Sequence, residues 1–190
     1  MVDSLAISPN MFKAISKLFS RPVNPTSAWP VRAPAQLTYE LKERSLNGYK
    51  LNGPFVEAQR FGQCDVFEPM DEFLDIYYRA SGLGLEFANQ ELIGVILVVA
   101  PGSDYEQRGL LPGHVAIVDG AGQRHELSAA TKVEDLVKTF GPVKETDPGK
   151  TDTCHSFMVL HNFIDAYFSL KTGTLLHLEI CETADASAAN

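Results

Sequence analysis

The sequence predicts an α+β fold made of two pseudo-repeated β-β-α-β-β-β units, each with an antiparallel sheet and one packed helix. Three features predict it: alternating apolar residues typical of strands, Asn-Gly and Asp-Gly turns, and short amphipathic helices that end at glycine. The same order of features occurs twice along the 190 residues. We therefore expect an N-terminal appendage over 1–36, a first unit over 37–100 and a second unit over 113–181.

Each unit begins with a hairpin. The first turns at Asn47-Gly48 and the second at Asp119-Gly120, and both dipeptides favour the positive φ angles of tight turns. The predicted hairpin strands are residues 37–41, 49–51, 114–118 and 124–127.

A short helix follows each hairpin, over 54–61 and 131–140. In the second helix, Thr131 is the predicted N-cap and Glu134, three residues later, completes a capping box. Both helices end in Phe-Gly, because glycine adopts the left-handed backbone that terminates a helix at little cost. The apolar stripe of the second helix is Val133, Leu136, Val137 and Phe140.

A three-stranded meander completes each unit, with its last turn at Asn89-Gln90 or at Thr172-Gly173. Matching these turns aligns two sets of apolar positions that alternation predicts to face a core. The alternative explanation of the apparent repeat is chance similarity between two ordinary α+β segments. The predicted strands are 74–79, 84–88, 91–100, 153–159, 163–170 and 174–181. The aligned pairs are Leu85 with Phe168, Phe87 with Leu170, and Ile93, Val95 and Leu97 with Leu176, Leu178 and Ile180.

The second unit carries a recognisable signature. Thr131, Val133-Glu134-Asp135-Leu136 and Phe140-Gly141-Pro142 resemble the helix-then-glycine pattern of small SmpA/OmlA-type α/β domains. Tandem domains of a similar kind form the β-lactamase inhibitor proteins, and similar units occur in bacterial toxin-immunity proteins. The resemblance implies a tandem domain that binds another protein.

The N-terminal residues differ from the rest in charge and pattern. Residues 1–50 hold 7 Lys and Arg against 3 Asp and Glu, whereas 51–190 hold 9 against 21. An acidic body repels phosphate backbones, so we expect no nucleic-acid binding and favour either a basic partner or simple solubility. Residues 9–20 are predicted to form one amphipathic helix.

Few features of the sequence indicate a cellular compartment or contact with a membrane. The longest apolar run, 92–100, is shorter than the ~20 residues of a membrane-spanning helix. The first residues lack the basic start and apolar stretch of a signal peptide, so we expect none, and the first 60 residues contain no Cys that could carry a lipid. The three cysteines are scattered, so we expect reduced thiols and a cytoplasmic protein.

Motifs for catalysis or metal binding are missing from the sequence. There is no nucleophile elbow, P-loop or dinucleotide-binding glycine motif, and the histidines lack zinc-ligand spacing. Cys154 and His155 are adjacent, so on a strand they point to opposite faces. We therefore expect no enzymatic activity, metal or cofactor.

The polar face of the predicted sheets is the candidate binding surface. Acidic groups around aromatic rings suit protein recognition, because tyrosine supplies contact area and carboxylates attract a basic partner. An outer face packed on the N-terminal segment or on a second subunit is an equal alternative, and a His-Tyr active site is a weaker one. The predicted partner-binding residues are Asp75, Tyr77, Glu86, His155, Phe157, Asp165, Tyr167, His177 and Glu179, with His155, Tyr167 and His177 in one row.

The sequence thus predicts a non-enzymatic cytoplasmic binding protein. The leading hypothesis is a bacterial immunity protein that blocks the active site of a basic toxin or secreted effector. The alternatives are a structural or assembly scaffold, or a small-ligand binder or enzyme with a pocket between the two units. A homodimer is also left open, and no membrane contact is expected.

Overall fold

The structure is a computed structural model that describes residues 23–32 and 36–182. The helix predicted over 9–20 lies outside these residues. The described chain contains thirteen strands and one α-helix, α1 (Val133–Phe140), together with three 3₁₀ helices at Phe55–Phe61, Arg79–Ser81 and Asp104–Arg108. The strands are β1 Leu37–Glu40, β2 Ser45–Leu46, β3 Tyr49–Lys50, β4 Val66–Met70, β5 Phe73–Tyr78, β6 Leu83–Ala88, β7 Glu91–Val98, β8 Val115–Val118, β9 Arg124–Leu127, β10 Glu145–Pro148, β11 Asp152–Val159, β12 Asn162–Ser169 and β13 Leu175–Glu182.

A large antiparallel sheet of eight strands forms one layer, in the order β10-β11-β12-β13-β7-β6-β5-β4. It consists of two four-stranded meanders that join where β13 pairs with β7. The six predicted meander strands are confirmed to within two residues. The two outermost strands of this sheet, β4 and β10, are not predicted from the sequence.

A smaller sheet of five strands forms the second layer, in the order β3-β2-β1-β8-β9. At its centre β1 pairs with β8 in parallel, with Leu37 opposite Val115. Hairpin strands from both halves of the sequence are therefore hydrogen-bonded into one sheet.

The main core is built from residues of both sheets. Tyr39 and Ile117 of the small sheet and Phe87 and Leu178 of the large sheet belong to one cluster of buried side chains. Helix α1 adds Phe140, whose ring lies 5.4 Å from that of Phe157. One shared core explains why neither half forms a separate unit.

The predicted fold class is therefore wrong. The protein is mostly β, and its strands form two shared sheets instead of one antiparallel sheet for each β-β-α-β-β-β unit. The first predicted helix is a 3₁₀ helix at Phe55–Phe61, so only the second half carries an α-helix in the described chain. The prediction failed because sequence periodicity defines a strand's faces and leaves open which strands pair.

The start of α1 also differs from prediction by one residue. Lys132 occupies the cap position, and its backbone N–H donates to the Asp135 carboxylate at 3.2 Å. Thr131 Oγ1 instead accepts a hydrogen bond from the Ser128 N–H at 2.9 Å. The predicted roles of Thr131 and Glu134 are thus wrong, whereas the end at Gly141, with φ of +88°, is confirmed.

A β-bulge occurs at matched positions in the two meanders. Ile93 is unpaired between β6 and β7, and Leu176 is unpaired between β12 and β13. Leu170, predicted to face the core, lies just past β12 and is exposed.

Within residues 23–32 and 36–182, no helix has the length and apolar character needed to cross a bilayer.

Candidate protein-binding surface

The face of the large sheet that points away from the main core is called the outer face here. Residues directly opposite each other on paired strands share a face, and the register pairs Asp165 with Glu179 and Tyr167 with His177. Seven of the nine predicted site residues lie on this face: Asp75, Tyr77, Glu86, Asp165, Tyr167, His177 and Glu179.

The other two predicted site residues point the opposite way. Cys154 is the residue paired with Tyr167, so Cys154 and Ser156 lie on the outer face and their neighbours face inwards. Phe157 is fully buried against Phe140, and the ring of His155 packs edge-on against Phe168 at 5.6 Å. The predicted row of His155, Tyr167 and His177 is wrong. The observed row is Cys154, Tyr167 and His177.

Residues 99–114, which connect β7 to β8 and are called the strap here, pack on the middle of the outer face. Leu110 of the strap forms a second apolar cluster with Tyr77, Ile96 and Val98. Tyr77 is only 1% exposed as a result, so it is not available to a partner.

Polar contacts fix the strap to the sheet. Tyr105 donates its hydroxyl to Glu179 Oε1 at 2.7 Å, and Ser103 Oγ lies 3.0 Å from His177 Nδ1. Arg108 forms an ion pair of 3.1 Å with Glu68, and its guanidinium lies 5.4 Å from the centre of the Tyr105 ring. The contacts of Tyr105 and Ser103 with β13 and the ion pair of Arg108 with β4 anchor the strap to the sheet.

Ser103, His177 and Glu179 form a polar array in which Ser103 and His177 are buried and Glu179 is partly exposed. His177 Nε2 lies 3.4 Å from Glu179 Oε1, an order of groups that also occurs in serine hydrolases. Here Ser103 is 4% exposed and its Oγ accepts the Tyr105 N–H that caps the 3₁₀ helix. In this geometry the array holds the strap in place.

Two carboxylates on the outer face differ in environment. Burial acts to raise the pKa of Glu179, but hydrogen bonds from His177 and Tyr105 outweigh it and hold that pKa below its usual value. Glu86 lies over Gly94, where any Cβ would collide with the carboxylate. Burial, followed by repulsion from Asp75 and Glu179, raises the pKa of Glu86 to about 7.

An open groove lies beside the strap, on the outer face of the second meander. It has a volume of about 330 Å³, and four of its nine lining residues are acidic while none is Lys or Arg. We call it the acidic groove. It is lined by Glu145, Asp147, Gly149, Asp152, Cys154, Ser156, Phe163, Asp165 and Tyr167.

The floor of the acidic groove is held in a fixed arrangement. Tyr167 stacks on His177 with ring centres 4.2 Å apart and planes 10° from parallel. Ser156 donates its hydroxyl to Asp165 Oδ1. Burial, followed by the charge of Asp165, raises the pKa of Cys154 to about 11, so its thiol stays neutral at physiological pH. The groove therefore presents carboxylates and aromatic rings and no thiolate.

Asp165 and Tyr167 of this groove are among the residues that the sequence predicts, whereas the residues of its rim are not. Glu145 and Asp147 belong to β10, a strand that is exposed throughout and therefore has no apolar alternation. The sequence feature that marks Glu145 and Asp147 is their acidic charge shortly before the predicted strand 153–159. Cysteine is usually a buried residue, whereas Cys154 is partly exposed on the outer face.

All three cysteines, Cys64, Cys154 and Cys181, are free thiols. Cys64 is buried and accepts a hydrogen bond from the Thr26 hydroxyl at 3.2 Å, so it belongs to the packing of the segment before β1. Within the described residues, no cluster of three or more His, Cys, Asp or Glu has a metal-binding arrangement.

Comparison with known proteins gives distant structural similarity. No protein-family profile and no curated protein sequence matches the chain. A DUF4309 family protein from Bacillus subtilis shares 14% identity at a TM-score of 0.46, over 73% of this chain and 84% of that protein. A cysteine-rich secretory protein from Staphylococcus aureus shares 13% identity at 0.37, over 78% of this chain and 52% of its own. An extracellular SCP-domain protein from Bacillus anthracis shares 11% at 0.43, over 70% and 44%.

This chain thus spans about half the length of the second and third proteins. None of the three is described as an SmpA, OmlA or β-lactamase inhibitor relative, so the resemblance of the second unit to those domains stays a prediction.

Proposed function

We propose that this chain is a binding protein whose acidic groove holds a basic segment of a partner protein. The observation that carries the proposal is the set of four carboxylates around Phe163 and Tyr167, with no lysine or arginine among the lining residues. An arginine or lysine side chain entering the groove would meet carboxylates at the rim and aromatic surface at the floor.

The charge distribution supports the same partner. The whole chain has a formal net charge of -8, and residues 51–190 carry the acidic excess. A field of one sign attracts an oppositely charged partner over about one Debye length, or ~8 Å at physiological ionic strength. The attraction raises the rate of encounter, and the aromatic floor then supplies contact area.

Neutralisation of a basic toxin or secreted effector in the cytoplasm is the specific form of this function that we propose. Its support is the resemblance of 131–142 to units found in immunity proteins. Binding would act by covering the effector's active cleft, and no catalytic step is assigned to this chain. Co-expression with an effector encoded by a neighbouring gene should restore growth, and continued toxicity despite expression of both proteins would contradict this form.

The groove itself is tested by calorimetry with a short peptide of alternating lysine and leucine. Asp147→Asn combined with Asp165→Asn should weaken binding at least tenfold, because two carboxylates of the groove lose their charge. The matched control is Asp71→Asn with Glu72→Gln. It changes the net charge equally at the exposed turn before β5, near the opposite edge of the sheet. Equal weakening by both pairs would show general charge attraction and would overturn the proposal.

A further inference from the structure

Among residues 23–32 and 36–182, no strand pairs with the outer edge of β9 in the small sheet. Within these residues β9 is the last strand in the order β3-β2-β1-β8-β9, and its one partner is β8. An edge strand exposes backbone N–H and C=O groups, which another strand can pair with.

The hydrogen-bond pattern shows which groups point outwards. The Asp119 N–H donates to the Gln123 carbonyl at 2.9 Å, so Gln123 faces β8. Successive residues of a strand alternate, so Arg124 and Glu126 direct their N–H and C=O groups away from β8. The carbonyl of Val118, opposite Arg124, agrees with this because it accepts a bond from Leu41 on the other side of β8. No described residue hydrogen-bonds the backbone of Arg124 or Glu126 on the open side.

The other sheet edges are protected. β10 carries two acidic residues and Pro148, and β4 contains Pro69, which lacks an N–H. β3 is only two residues long. β9 contains no proline, and its two outward-directed residues carry opposite charges.

Space for an added strand exists along this edge. An open cavity of about 530 Å³ lies between β9 and one face of α1, and it is lined by His125 and Leu127 from the strand and by Asp135, Lys138 and Thr139 from the helix. Addition of a strand to an exposed sheet edge is a recurring mode of recognition.

We propose that a second copy of this chain occupies the edge, with β9 pairing to β9 antiparallel about a twofold axis at His125. In this register Arg124 lies directly opposite Glu126 of the partner subunit, and the reverse pair forms by symmetry. Both residues direct their backbone groups outwards, so each pair exchanges two hydrogen bonds. The side chains of Arg124 and Glu126 lie on the exposed face of the small sheet, where opposite charges across strands are favourable.

Sedimentation velocity with two charge variants tests the dimer. The interface is small, so we expect the mass to rise from 20.8 kDa towards twice that value only at roughly 100 µM protein and above. Arg124→Glu and Glu126→Arg should each remain monomeric, because each places like charges across the axis. An equimolar mixture of the two should dimerise again, since acidic positions in one chain then face basic positions in the other.

Rescue in the mixture separates contacts between chains from the pair that Arg124 and Glu126 form within one chain, at 2.7 Å. Circular dichroism of each variant confirms that it is folded. A wild-type protein that stays at 20.8 kDa, or a mixture that stays monomeric while both variants are folded, overturns the proposal. The acidic groove lies on the other sheet, so its calorimetric test is independent of this result.

Discussion

At the scale of single residues, Glu86 has the clearest consequence for pH. Its folded pKa of about 7 lies above the ordinary value of 4.5, so the folded state binds a proton more readily than the unfolded chain does between these pH values. The contribution of Glu86 to stability is therefore greatest below pH 4.5 and is lost as pH rises through 7. Glu86→Gln removes this dependence.

We expect Glu86→Gln to be more stable than wild type by about 1–2 kcal/mol at pH 8 and nearly equal to it at pH 4.5. Urea unfolding of both proteins at the two pH values measures the difference. A difference that does not change with pH would contradict the proposed environment of Glu86.

Asn162 links the two sheets through polar contacts. It is fully buried, accepts a hydrogen bond from the Tyr39 hydroxyl at 2.7 Å, and donates to the Leu41 carbonyl at 2.9 Å. Asn162→Ala leaves both groups buried without partners, so we expect a loss of about 2–4 kcal/mol in the free energy of unfolding. Denaturant titration measures it, and a loss below about 1 kcal/mol would mean that water replaces the side chain.

At the scale of elements, the strap depends on a few specific contacts. Tyr105→Phe keeps the ring in place but removes the hydrogen bond to Glu179. Because that bond is to a charged acceptor, its loss should cost about 1–2 kcal/mol and allow the strap to open more often. Limited proteolysis should then cut within residues 99–114 earlier than in wild type. An unchanged cleavage pattern would show that the strap does not depend on this hydrogen bond and is held by its other contacts.

The strands predicted best are those with one buried face. β12 alternates strictly between buried and partly exposed residues, so its bounds and its outward residues Asp165 and Tyr167 were predictable. β10 has no buried residue and ends in proline, and β4 also contains proline, so neither shows the alternation that marks a strand. Both are held mainly by the neighbour that they pair with.

The predicted faces of β11 are wrong. Both faces of its first half are partly buried, so residues 152–155 show no alternation of apolar and polar residues that would indicate the inner face. Phe157 and Val159 are two residues apart and therefore lie on the same face of the strand. These two apolar residues are the better indication of the inner face, and they place His155 on that face as well. With Phe157 and Val159 facing inwards, Cys154 and Ser156 lie on the outer face, as the structure shows. A shift of one residue exchanges the two faces of a strand, so a single wrong assignment moved two site residues.

At the scale of the whole molecule, the two meanders form one sheet through β7 and β13, and the hairpins form another through β1 and β8. The sequence repeat indicates similar elements but contains no information on these pairings, which decide the architecture. The joined sheet places Glu86 of the first meander and Glu179 of the second on the same face. The charge of Glu179 therefore helps to raise the pKa of Glu86.

The strap divides this outer face into two parts. It covers the centre, where Tyr77 and His177 are buried, and leaves the acidic groove open on the second meander. Of the predicted site residues, Asp165 and Tyr167 are the two that line the groove. The proposed function therefore depends on the acidic groove, the part of the outer face that the strap leaves open.

The most direct test of the central claim is a backbone amide NMR titration with the alternating lysine and leucine peptide. We expect the largest saturable shifts at Asp147, Cys154, Asp165 and Tyr167, and small shifts at the exposed acidic turn of Asp71 and Glu72. Asp147→Asn combined with Asp165→Asn should abolish the saturable shifts. Shifts of similar size at all acidic surface residues, or saturable shifts confined to another surface, would contradict the assignment of the acidic groove as the binding site.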